Sequence, residues 1–487
     1  MIKTLKALCN GIVDIDPGFD KIEISGISAD SREIKAGYLF AALPGTVVDG
    51  VQFVGKAIEN GAVAVLVSSQ AKIDVGDDIA VLRADHPRAT LAHMAARFFE
   101  TQPDCVAAVT GTNGKSSVVA FVRQMWEAMG MRAASLGTVG IDYPGGFKKL
   151  EHTTPDPVAL HRALAKLAKD HVDHLALEAS SHGLEQKRLD GIKICVGAFT
   201  NFSQDHLDYH KTFEAYFAAK MRLFDELLCT GCAAVLNADC QDADKVRAHM
   251  EKRGARIVSV GRNGDDLELL EQTRLGLGQV LKIKGREQTY KVFLPLVGEF
   301  QASNALVAAG MVIAAGGSEA VAVKTFENLK GAKGRLELVD RTKDGAAIFV
   351  DFAHTPEALK LSLKALRPLA DNKLVVVFGC GGDRDKGKRP LMGKVAAQLA
   401  DVVYVTDDNP RGEDPAQIRA EAMVGCPDAT DIGDRQLAIS KAIGKLKKGD
   451  VLLIAGKGHE EGQIVGDKTI AFSDHEAVRI AMEGAAA

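Results

Sequence analysis

The sequence shows no excess of positive charge: 60 Lys and Arg face 64 Asp and Glu, a formal net charge of -4. That balance excludes a global field able to hold nucleic acid or anionic lipid, though a local basic site stays open. Long hydrophobic runs are also missing. The longest, such as 374–378 and 451–455, fall far short of the roughly 20 residues that span a bilayer. The first residues meet Asp14 and Asp16 before any signal-peptide core develops. Repeats and low-complexity tracts are absent, and 14 prolines are few for 487 residues, which excludes collagen-like, mucin-like and disordered chains. The expectation is a cytoplasmic, monomeric protein with small-molecule substrates, no nucleic acid and no membrane insertion.

Cysteine is sparse as well. Eight thiols in a chain this long are no disulfide scaffold. Only Cys229 and Cys232 form a C-x-x-C pair, and no second pair follows to complete a zinc site. The pair precedes the apolar run 233–236, the reverse of the order in which a redox C-x-x-C opens a helix after a strand. Buried thiols in a reducing compartment are expected.

What is present is length and alternation. At 487 residues the chain should hold about three domains. Joints are expected near Thr101-Gln102-Pro103 and near Lys330 to Gly334, giving segments 1–100, 101–332 and 333–487. Short β-branched runs end abruptly in polar clusters. Val106 to Val109 meets TGTNGKSS, His174 to Leu177 meets EASSHG, and Cys195 to Phe199 meets TNFSQDH. Further on, 374–378 meets GCGGDRDKGK, 402–405 meets TDDNPRGEDP, and 451–455 meets GKGHEEG. Such strands alternating with helices predict an α/β fold with mostly parallel sheets, whose ligands bind beyond the carboxyl ends of the strands. Between Asp265 and Pro295 the alternation predicts antiparallel strands, a hairpin-rich flap on the central domain. The final Gly-Ala-Ala-Ala reads as a frayed end.

The segment Gly111-Thr112-Asn113-Gly114-Lys115-Ser116-Ser117 follows a strand and opens a helix. Glycines bring backbone N–H groups to phosphate oxygens, the helix N-terminus favours negative charge, Lys115 adds a cation, and the Ser116 hydroxyl suits Mg²⁺. Val109 stands where the usual phosphate loop has its first glycine.

TGTNGKSS resembles the short phosphate loop shared by the Mur ligases, folylpolyglutamate synthetase and cyanophycin synthetase, and the likeness covers nearly the whole chain. It implies a three-domain architecture with a central P-loop mononucleotide-binding sheet and a Rossmann-like C-terminal domain. It further implies ATP-dependent amide formation through an acyl phosphate. By the same resemblance Lys115, Lys220 and His206 are the catalytic residues. Ser116 and Glu178 hold a first Mg²⁺, His206 approaches a second, and Lys220, as a CO₂-derived carbamate, coordinates or orients the metal, while Asn304, Arg335, Asp351 and His354 join Gly111 to Ser117 at ATP. Gln301 stands where members often carry a second Asn. An unmodified Lys220 would repel Mg²⁺; apolar neighbours disfavour its charged form and expose the neutral amine that CO₂ needs.

Ser31 and Thr46-Val47-Val48 match positions that hold the UDP end of a UDP-MurNAc-L-Ala-D-Glu acceptor, and His152, Thr153, Thr154, Ser180, Gln186 and Arg188 match its sugar-peptide contacts. His152 replaces a common Asn. Arg384, Asp408-Asn409-Pro410-Arg411, Gly456 and Glu460 resemble the pocket of members that take meso-diaminopimelate, whose distal carboxylate an Arg fork reads bidentately. The alternatives are a lysine-adding homologue, a folylpolyglutamate synthetase-like ligase, or a nucleotide-driven regulator.

Overall fold

A computed structural model of the protein describes residues 1–45, 49–150 and 152–484. Thr46, Val47 and Val48, and the last three alanines, lie outside the described residues. Three main sheets follow one another along the chain. The first has four parallel strands, Gly26–Ser28, Tyr38–Ala41, Ala62–Ser68 and Ala80–Ala84. Helix Pro87–Phe99 packs its Leu91, Met94, Ala95 and Phe98 onto one face.

The second sheet has eleven strands. Its parallel part runs Ala133–Leu136, His174–Glu178, Cys105–Thr110, Ile194–Phe199, Leu228–Asn237, Arg256–Gly261 and Leu267–Leu275. The runs read as strands from their β-branched content are strands here, buried on both faces. From Cys105–Thr110 the chain leaves first to one side and later to the other, so the crevice beyond this strand is a topological switch point. Helices Lys115–Ala128 and Glu299–Ala314 cover one face through Val118, Phe121, Trp126 and Leu306. Leu160, Leu164, Leu184 and Phe224 cover the other. Each such buried side chain contributes roughly 1.5–3 kcal/mol. The strands predicted between residues 265 and 295 are antiparallel, and they continue the central sheet instead of standing off it as a flap: Gly278–Lys284 and Thr289–Leu294 form its edge beside Leu267–Leu275.

The third sheet orders its strands Glu337–Arg341, Ala347–Asp351, Val451–Ala455, Leu374–Phe378, Val402–Val405 and Thr430–Asp431, with only the first antiparallel. Its helices start where the sequence caps them, as at Thr355, whose hydroxyl accepts from Ala358 N ahead of Pro356–Leu366. No helix among the described residues is long and apolar enough to cross a membrane. The thiols depart from expectation: Cys9, Cys380 and Cys426 are buried, but Cys229 is exposed and Cys232 half-buried. The strand that carries the pair starts outside the sheet's covered centre, at exposed residues 229–231.

Candidate active site

The phosphate loop is shaped by two glycines. Gly111 has φ +142° and Gly114 φ +89°. A Cβ on Gly111 would sit 2.0 Å from Thr200 Oγ1, and one on Gly114 would sit 2.3 Å from Asn304 Oδ1. Neither position accepts a side chain. Helix Lys115–Ala128 starts at once, aiming its first free N–H groups into the crevice. The loop is laced to the neighbouring strand end: Thr112 N donates to Asn201 O (2.9 Å) and Thr200 Oγ1 to Asn113 O (2.6 Å). Lys115 Nζ donates to the carbonyls of Gly111 (2.9 Å) and Thr112 (2.8 Å). Burial lowers its pKa, opposed by Glu178 and Asp205.

Behind the loop lie Ser116 and Glu178, both buried. Arg335 Nη2, from the third-sheet side of the joint, donates to Ser116 Oγ at 3.0 Å, and its guanidinium lies 4.5 Å from the Phe352 ring centre. The Glu178 carboxylate accepts from Thr138 N (2.8 Å) and Thr138 Oγ1 (3.1 Å). Two bonds leave the carboxylate lone pairs free, and with the Ser116 hydroxyl they make a hard oxygen set of the kind Mg²⁺ prefers. Among the described residues no group of three or more His, Cys, Asp and Glu forms a cage. A cation here would therefore complete its shell with phosphate and water oxygens, as Mg²⁺ habitually does.

Lys220 is 1% exposed on helix Phe213–Arg222. Its Nζ donates to Gly111 O at 2.8 Å and lies 4.3 Å from the Tyr216 ring centre. Burial, reinforced by Lys115, drives its pKa well below the usual lysine value. His206, at φ +52°, opens a short helix, and its ring meets His182 at 4.8 Å. The half-buried imidazole has its pKa lowered to about 4 by desolvation, opposed by Asp205, whose Oδ2 lies 3.4 Å from its Nε2.

Of the residues expected at a nucleotide, Asn113, Gly114, Ser117, Asn304, Arg335, Asp351 and His354 line one cavity of about 310 Å³. Gln301 accepts from Asn304 Nδ2 at 3.2 Å, so the departure from the family's Asn buttresses Asn304 from within. Asp351 is buried and accepts from Leu336 N (3.2 Å) and from Ser362 Oγ. His354 Nδ1 pairs with Phe352 O at 2.8 Å.

The proposed sugar-peptide residues of the central sheet also converge. Thr153 Oγ1 lies 2.9 Å from Thr138 Oγ1, and Thr154 Oγ1 lies 3.0 Å from Ser180 Oγ. Arg188 donates to Thr154 O (2.6 Å) and twice to Gln186 Oε1 (3.1 and 2.7 Å). His152 is exposed and stands apart from these bonds. Ser31 is buried on the first-sheet side, its carbonyl taking Asn60 Nδ2 at 2.9 Å.

A cleft of about 880 Å³ joins the second and third sheets. One wall carries Asp205 and His206; the other carries Arg384, Asp408, Asn409, Arg411, Gly456 and Glu460. Pro410 turns the chain so that Arg411 takes φ +50°, with Nη1 bonded to Gly382 O at 2.9 Å. Burial and then the like charge of Arg384 lower the Arg411 pKa. Two guanidiniums pressed together favour an anion between them.

Several residues of this architecture escaped sequence reasoning. Thr138 holds Glu178, Lys457 lies under Glu460, and His459 packs on Phe352 with ring centres 5.2 Å apart. Lys457 and His459 lie inside GKGHE, a motif visible in the sequence; Thr138 carried no signal.

Fold and site together define the class: a P-loop α/β enzyme whose nucleotide crevice is closed by a separate, Rossmann-like domain. Residues 23–99 match the Mur ligase family catalytic domain, 109–312 the Mur ligase middle domain, and 334–458 the Mur ligase glutamate ligase domain. Two relatives, both called UDP-N-acetylmuramoyl-L-alanyl-D-glutamate--2,6-diaminopimelate ligase, come from Brucella melitensis biotype 1 and Agrobacterium fabrum. The first is 48% identical over 477 residues (98% of this chain, 97% of the relative), the second 51% over 461 (95% and 94%). A solved structure with the same designation is 33% identical, covers 99% of each chain and has a TM-score of 0.71. The chain belongs to the Mur ligase family and is a ligase, with the ATP and Mg²⁺ dependence that goes with that family.

Proposed function

We propose that the protein adds meso-diaminopimelate to the D-glutamate carboxylate of UDP-MurNAc-L-Ala-D-Glu, at the expense of ATP, in the cytoplasm and as a monomer. The observation that carries this reading is the shared cleft: the strand end at 202–207, which is bonded to the phosphate loop, and the Arg384–Arg411 pocket open on the same space. Full-length relatives with this designation disfavour a lysine-adding or folylpolyglutamate-type ligase.

In this reading the loop amides and Lys115 grip the β- and γ-phosphates, and Arg335 neutralises charge that develops on the transferring phosphoryl group. A first Mg²⁺, held by Ser116 and Glu178, and a second, approached by His206, would supply further charge neutralisation. Thr153, Thr154, Ser180, Gln186 and Arg188 hold the sugar-peptide so that its carboxylate oxygen attacks the γ-phosphorus and ADP leaves. Ser31 serves the UDP end. Asn304, Asp351 and His354 hold the nucleoside, and Asp408, Arg411, Arg384, Gly456 and Glu460 orient the amine toward the acyl carbon. Phosphate leaves as the amide forms.

The neutral Lys220 amine adds to CO₂, forming an N–C bond and releasing a proton. The resulting carbamate anion would lie beside the Lys115 cation and attract it, where a protonated Lys220 would repel it.

The test is phosphate release by purified protein. Release should require the UDP-dipeptide and rise sharply with diaminopimelate. Turnover at full rate without any amine would overturn the reading in favour of a nucleotide-driven switch.

A further inference from the structure

Lys457 is 0% exposed, and a lysine so enclosed needs partners. Its Nζ donates to Asn409 Oδ1 (2.9 Å) and Glu460 Oε2 (3.0 Å), with Asp408 Oδ1 at 4.0 Å. Asn409 is engaged at both ends: Oδ1 also takes Ile464 N (3.0 Å), and Nδ2 donates to Glu460 Oε2 (2.9 Å). The Asn409 side chain is thus a brace inside the wall rather than a group turned toward a ligand. Behind it, hairpin Gly462–Val465 with Lys468–Ala471 clamps the same loop, with Arg411 N donating to Ile464 O (3.0 Å) and Gln463 Nε2 to Asp408 O (2.8 Å).

We propose that Lys457 is the positioning and specificity-determining residue of the amine pocket, setting its charge and fixing Glu460 through Asn409. The inference rests on the amine-adding reading above. Beside the amine pocket Arg384, Arg411 and buried Lys457 stand among Asp408 and Glu460, a mixture of cations and acids suited to a ligand end bearing both ammonium and carboxylate. Without Lys457 the two acids lose a buried counterion, and the pocket tolerates an ammonium without its carboxylate. Discrimination between diaminopimelate and lysine therefore depends on a residue that touches neither.

The experiment compares wild type, Lys457→Met and Lys457→Gln in ADP formation with UDP-dipeptide and either meso-diaminopimelate or L-lysine, with folding checked by thermal melting. Losing two charge-assisted hydrogen bonds should raise KM for diaminopimelate roughly 10- to 100-fold. The diaminopimelate-to-lysine ratio of kcat/KM should fall about tenfold or more, with KM for ATP and UDP-dipeptide within about threefold. Lys457→Gln, smaller and still a donor, keeps the test readable if the Met variant misfolds, and should lose discrimination equally because the charge is gone. Retained discrimination in a folded variant, or equal loss toward all substrates, overturns the proposal. A wild type that uses neither amine would instead sink the amine-adding reading.

Discussion

Lys115 and Lys220 both donate to the carbonyl of Gly111, so two lysine side chains converge on one acceptor. Each disfavours the other's charge, and the arrangement is stable only if one is neutral or made anionic. The sequence offered Lys220 as a helix lysine among apolar neighbours; what it could not reveal was Lys115 on the other side, because the two are brought together by separate elements. Lys220→Ala should lower ligase turnover by about 10²-fold or more, and millimolar formate or acetate should restore part of it, as a free carboxylate enters the space of the carbamate. Turnover assays with and without the acid decide the point; undiminished activity of the alanine variant would end the carbamate reading.

At the scale of elements, the segment from Lys330 to Leu336 connects the two larger sheets and carries their contact. Gly334 has φ +66°, and a Cβ there would lie 2.3 Å from His459 N. Its neighbour Arg335 already reaches Ser116, so the third-sheet domain is in register with the phosphate loop. Gly334→Ala should push the 456–460 loop away and strain the backbone by about 1–2 kcal/mol. The expected outcome is a kcat reduced about tenfold with nucleotide affinity nearly kept, and a larger radius of gyration in solution scattering. Unchanged kcat and scattering would show that this contact does not govern closure. Strand runs and loop motifs were legible because their periods and glycines are local. The edge strands after residue 265 read correctly as antiparallel, but their continuity with the parallel sheet depends on a pairing to 256–261 that no local pattern encodes.

For the whole molecule, buried histidines link stability to pH. His161 is 4% exposed against the Asp190 carbonyl, and burial brings its pKa down to about 4. The unfolded chain binds that proton near pH 6.5, so the native state is at full strength above 6.5 and loses stability as pH falls toward 4. At about 1.4 kcal/mol per unit, this one group costs up to roughly 3 kcal/mol in acid. Half-buried His459, with a pKa down at about 3, acts in the same direction. Melting temperatures from pH 7.5 to 4.5 should fall, and His161→Gln should flatten the slope; an identical slope in the variant would remove His161 as a cause.

By itself the sequence determined the α/β class, the phosphate loop and the motifs at the strand ends. Those signals lie in stretches of a few residues, where periodicity, glycine freedom and residue chemistry act directly. Only the tertiary structure decided that Lys220 faces Lys115, that Asn409 is an internal brace, that Lys457 and Thr138 hold the carboxylates, and that the Arg384–Arg411 cleft opens onto the strand end at 202–207. Apart from the Lys457–Glu460 pair, three residues apart, those facts are meetings of side chains far apart in the chain, set by how three sheets pack together.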